Sequence, residues 1–170
     1  MRAAGVILAV VAALALQTTL ARFVVRGTVA IDLVLVVVVY VALTSGPATG
    51  LLSGAIAGLA QDALSTGPIL GIAGLAKTIV GFLAGVIGTQ FIVSQPLPRF
   101  VVFFGATIVH AVVFMGLYTV LDRIHFGSPT AGVVAQATAN ALVGVVAFQV
   151  VELLPGAVER RRAAKTRLRR

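Results

Sequence analysis

A chain of 170 residues with 59% hydrophobic side chains, only 11% charged ones and a mean hydropathy of +1.10 is not a water-soluble domain, because such domains carry about a quarter of charged residues. It is not a disordered chain either, since disorder needs low hydrophobicity together with high charge. The net charge of +8 does not mark a nucleic-acid binder: the basic residues gather in a tail, Arg160, Arg161, Arg162, Lys165, Arg167, Arg169 and Arg170, directly after an apolar segment. Cysteine is absent, which removes disulfides, thiolate metal sites and a cysteine nucleophile.

Six apolar runs approach the roughly 20 residues that cross about 30 Å of hydrocarbon. The first, about 3–21, follows Met1 and Arg2 and carries Gln17, Thr18 and Thr19 near its end. A signal peptide would start the same way, but this run is long and no small-x-small cleavage site closes it. The second, about 29–43, begins near Asp32 and continues as a run of valines. A soluble chain would make that run a buried strand, whereas lipid leaves a strand edge unsatisfied, so a helix is predicted. The third, about 47–64, starts at Pro47, a residue suited to the first helical position. Its shortness also leaves room for a re-entrant hairpin. The fourth, about 69–93, contains Lys77, and Ser94 to Arg99 with Pro96 and Pro98 reads as a loop. The fifth, about 100–121, has His110 near its middle. After a polar break at 122–129, the sixth, about 130–154, carries Gln136, Thr138, Asn140 and Gln149, and Pro155-Gly156 closes the membrane part ahead of the 155–170 tail.

Lys and Arg accumulate on cytoplasmic flanks. With six spans and a cytoplasmic N-terminus, Arg2, Arg99 and the seven tail residues fall inside, while only Arg22, Arg26 and Arg123 fall outside. Both termini are therefore predicted to be cytoplasmic. Asp32, Asp62, Gln17 and Gln136 then lie toward the outer side, Lys77 in the outer half, and His110 and Asn140 near mid-depth.

Charged groups inside a membrane need a partner or a route to the surface. For Lys77 the options are snorkelling to the outer headgroups, or pairing, with Asp62 on the adjoining helix end preferred over Asp32. His110 shares a face with Thr107 and Phe114, as Gln136 does with Asn140. Hydrogen-bonded packing is the expected role of His110, with proton carriage as the alternative. For Gln136 and Asn140 it is interhelical adhesion, with ligand contact as the alternative. Gly50, Gly54 and Gly58 form a ridge on the third segment, and Gly74, Gly81 and Gly85, with Thr78 and Gly88, a small-residue stripe on the fourth. Such stripes let helices approach closely, and packing of these two against each other is expected ahead of packing against another protein.

Three apparent chemical motifs fail. Gly71-Ile-Ala-Gly74-Leu-Ala-Lys77-Thr78 has Ala76 where a phosphate loop needs glycine. Asp122 with His125 offers only two metal ligands. Asp32 and Asp62 sit at helix ends, away from a helix interior where a protease dyad would be poised. No enzyme signature, cofactor or metal is expected.

The order of features does resemble one family. Leu16-Gln-Thr-Thr-Leu20, Ile31-Asp32-Leu-Val-Leu, Gly46-Pro47, the block Gly58-Leu-Ala-Gln-Asp62-Ala-Leu-Ser65-x-Gly67, and Ala76-Lys77-Thr-Ile-Val-Gly81 are similar to the MreD family of rod shape-determining membrane proteins. The motif content covers about residues 15–90. Ile31 departs from the proline usual before the aspartate. The resemblance implies an all-α integral membrane protein, six transmembrane helices in a compact bundle similar to the substrate-binding subunits of energy-coupling-factor transporters. It implies a non-enzymatic scaffold in the bacterial cytoplasmic membrane. The partners implied are MreC and, through it, MreB, RodA and a class B penicillin-binding transpeptidase. The Arg-rich tail would meet anionic lipids. The alternative is a vitamin transporter's substrate-binding subunit, against which the scarcity of aromatics argues. A small channel would need polar residues through the inner half, where they are lacking.

Overall fold

The computed structural model describes residues 3–23, 31–65, 69–91, 93, 95–122 and 130–167. They form six helices and, among these residues, no strand: α1 (Ala3–Phe23), α2 (Leu33–Ser45), α3 (Pro47–Leu64), α4 (Ile72–Gln90), α5 (Pro96–Asp122) and α6 (Thr130–Arg167). Three of them, over Ile72–Gln90, Pro96–Leu121 and Thr130–Leu153, are long and apolar enough to cross a membrane, while Gly5–Thr19 and Leu33–Ser45 are shorter apolar helices.

The valine run is helical, and it is the axis of the bundle. α2 packs against all five other helices, and Val34, Leu35, Val36, Val38, Val39, Val41 and Ala42 are all buried. A helix enclosed on every side has no polar face to keep, which is why its sequence shows no amphipathic period. Its 13 residues are about 20 Å long, less than the hydrocarbon thickness. α1 lies at the rim against α2 and α3, with Ile7, Leu8, Val11 and Leu16 turned outward.

α3 and α4 form the closest pair, glycine against glycine. A Cβ on Gly54 would overlap the carbonyl of Lys77, one on Gly81 the carbonyl of Gly50, and one on Gly58 the backbone of Gly74. Gly85 and Gly88 repeat the pattern against Pro47 and Leu43. Dispersion between backbones in direct contact supplies the attraction here, because lipid offers no hydrophobic gain for bringing helices together. Gly71, just ahead of α4, is a glycine for a different reason: space around it is open, but its φ of +101° lies in the left-handed region.

α2 and α4 are offset by a few residues from the expected 29–43 and 69–93, and two further boundaries differ in kind. Pro96, Leu97, Pro98 and Arg99 are the first turn of α5 and not a loop; the first-turn N–H groups have no partner within the helix, so proline costs nothing there. α6 continues through Pro155 and Gly156 to Arg167, although its apolar part stops at Leu153.

Candidate functional site: a buried polar network

Asp32 is the junction of the site. As N-cap of α2, its Oδ1 accepts the Leu35 N–H at 2.9 Å, which places a carboxylate at the positive end of the helix dipole. Its Oδ2 accepts from Lys77 Nζ at 2.6 Å. The Asp32 backbone N–H donates to Asn140 Oδ1 at 3.0 Å, and Asn140 Nδ2 donates to Thr107 Oγ1 at 3.2 Å. Lys77 Nζ also lies 3.2 Å from His110 Nε2. An ammonium has only hydrogens to offer, so Nε2 receives with its lone pair and the ring proton sits on Nδ1. His110 stacks on Phe114, with ring centroids 5.7 Å apart. From α1, Gln17 Oε1 accepts the Val34 N–H at 3.2 Å and satisfies a second free donor of α2.

These contacts join α1, α2, α4, α5 and α6; Lys77, Thr107 and Asn140 at 1% and Asp32 at 5% have almost no exposure, while Gln17 and His110 are half-buried. Burying a charge is tolerated only when it is paired and hydrogen-bonded, and here the donors and acceptors are turned toward one another. The arrangement is suited to locking helices in register.

Lys77 neither snorkels nor pairs with Asp62, correcting both leading expectations for it. The Asp62 carboxylate is already committed: Oδ2 accepts the Gly71 N–H at 2.9 Å and the Gly74 N–H at 3.2 Å. Asp62 thus ends α3 and caps the start of α4, a role that the one-dimensional spacing did not reveal. Asp62→Ala leaves two N–H donors without this acceptor and is expected to cost about 1–3 kcal/mol. Amide exchange in the first turn of α4 should then accelerate while the α2 amides keep their protection; unchanged exchange at Gly74 would overturn the assignment.

His110 and Asn140 belong to the network. Gln136, one turn before Asn140, is half-buried and is not among its hydrogen-bonded members. His125 lies outside the described residues, as does the side chain of Asp122, and the tail residues Arg160, Arg161, Arg162, Lys165 and Arg167 are described only as backbone on α6.

A second polar cluster sits at the opposite end of the bundle. Arg99 holds Glu152 through both terminal nitrogens, Nη1 to Oε2 and Nη2 to Oε1. Its Nε donates to the Val93 carbonyl at 3.2 Å, and its guanidinium lies 4.4 Å from the centre of the Phe148 ring. The sequence reading treated Arg99 only as a topological charge and overlooked Glu152. The available signal was positional: Glu152 is the one carboxylate near the end of the last apolar segment, and antiparallel fifth and sixth helices bring that end beside Arg99.

Apolar helices long enough to span, held by direct backbone packing and with their charges paired inside, define a polytopic α-helical membrane protein. The chain belongs to the MreD family: the family model for the rod shape-determining protein MreD matches residues 2–155. The match ends where the apolar part of α6 gives way to the basic tail. Comparison with curated proteins and with solved structures finds no significant match. The family is one of shape-determining structural membrane proteins and not a known enzyme family, so the role of this chain lies in rod-shape determination.

Proposed function

We propose that this protein is a non-enzymatic scaffold of the bacterial cell-wall elongation complex. It crosses the cytoplasmic membrane six times with both termini inside, docks MreC, and through MreC holds RodA, a class B penicillin-binding transpeptidase and MreB. The observation that carries this reading is the inward consumption of the polar groups: Asp32, Lys77, Asn140 and Thr107 bond to one another. A substrate-binding subunit would need such groups free in a cavity. What the bundle presents outward is apolar, including the rim of α1 at Ile7, Leu8, Val11 and Leu16, a surface suited to partner helices. The basic tail adds attraction to anionic lipid of about 1 kcal/mol per residue near the surface.

Affinity purification in mild detergent through a tag after Arg170 tests the reading. Recovery of an MreC-like protein is expected; recovery of transporter ATPases without it would replace the scaffold by the transporter alternative. A reporter at the same position, active only after export, should stay silent.

A further inference from the structure

Two cavities lie on successive turns of the α4–α5 pair. The first, about 410 Å³, opens where α4 ends and α5 begins, and its wall includes Thr89, Gln90, Arg99 and Phe148. The second, about 360 Å³, continues along the same helices from Ile87 to Val80 on α4 and from Val101 to Val109 on α5, and its wall is entirely valine, leucine, isoleucine, alanine and glycine. Gly105 helps keep it open, since a Cβ there would meet no atom. From Val101 to Val109 the groove runs about 12 Å along the helix, most of the roughly 15 Å of one leaflet's hydrocarbon.

Arg99 is fixed in place, 4% exposed, beneath Phe148. A guanidinium carries five N–H donors; among the described residues one goes to Val93 and two to Glu152, which leaves one on each terminal nitrogen. The Glu152 side chain, by contrast, is 56% exposed, so water competes for it and its hold on the arginine is exchangeable. A phosphate matches the same two-pronged fork.

We propose that the two cavities form one binding site for an anionic phospholipid. The headgroup phosphate enters the first cavity and competes with the Glu152 carboxylate for the Arg99 guanidinium, and one acyl chain lies in the groove past Gly105. A soluble phosphate would use only the first cavity and a partner's helix only the second, whereas a phospholipid has the chemistry of both. Arg99 and Glu152 also lie at the end of the bundle from which the Arg-rich tail follows in sequence, and anionic headgroups draw basic residues.

The test titrates the full-length protein in neutral detergent with spin-labelled phosphatidylglycerol and phosphatidylcholine. About 0.5 M salt weakens attraction to solvated charges far more than attraction to the buried arginine. The expected result is about a tenfold preference for phosphatidylglycerol. Arg99→Gln should abolish that preference with the tail intact, Glu152→Gln should strengthen binding severalfold by removing the competing charge, and Gly105→Leu should weaken it by filling the groove. A preference that survives Arg99→Gln would assign the lipid to the tail. Weaker binding in Glu152→Gln, or competition by glycerol phosphate as effective as by the lipid, would equally overturn the proposal. Should Arg99→Gln fail to fold, the Glu152 and Gly105 variants still decide it.

Discussion

Replacing Lys77 by methionine is expected to destabilise the folded protein by about 3–5 kcal/mol, because it leaves the Asp32 carboxylate buried without its counter-charge. In a chain of this size that lowers the midpoint of thermal unfolding in detergent by on the order of 10 °C. Asp32→Asn should cost less than Lys77→Met, since an asparagine can still cap α2 through the Leu35 N–H. The combined variant Lys77→Met with Asp32→Asn should recover much of the loss, because neither charge is then stranded. Coupling between the two, measured by a double-mutant cycle, should reach about 2 kcal/mol. Strict additivity of the two changes would show that the ion pair contributes nothing as a pair. Lys77→Met combined with Asp62→Ala should show the smaller coupling, since Asp62 bonds to backbone N–H groups and not to the ammonium.

The glycine ridge yields the second large effect, and its sign depends on position. Gly54→Ala and Gly81→Ala place a methyl group into the backbone of the facing helix, so α3 and α4 must separate, at a cost of about 1–3 kcal/mol or more. Gly54 faces the Lys77 backbone itself, so the displacement reaches the ion pair as well as the packing. Gly116→Ala and Gly132→Ala are the matched controls: a Cβ at either meets no atom, and alanine is the better helix former by about 1 kcal/mol. Thermal unfolding of the four variants should therefore divide into two destabilised and two neutral or stabilised. Equal losses in all four would mean that helix propensity, and not close approach, governs these positions.

The sequence was most legible where lipid leaves few choices. Backbone groups without water must bond within a helix, so the apolar runs located the helices, and even the valine run of α2 is helical. The spacing of Gly50, Gly54 and Gly58 against Gly74, Gly81 and Gly85 likewise announced a close pair. Helix ends were less legible, because prolines at 96 and 98 look the same in a loop and in a first turn. The site was legible as a set of residue types and not as a set of bonds. Lys77 needs a partner wherever it lies in the membrane, and two aspartates at similar depth stood ready to supply it.

By itself, then, the sequence determined that this is a helical membrane protein of asymmetric charge, that its third and fourth helices meet through glycine, and that Lys77 cannot stand alone. Only the tertiary structure decided which carboxylate answers it. Periodicity tells which residues share a helix face, but the rotation of one helix against another depends on packing over the whole bundle. The glycine contacts hold α4 against α3 with Asp62 over its N-terminus, where that carboxylate is taken up by Gly71 and Gly74. α2, enclosed by five neighbours, carries Asp32 to the lysine instead, and the meeting of Arg99 with Glu152 is settled in the same way, by helix ends brought together across 53 residues of chain.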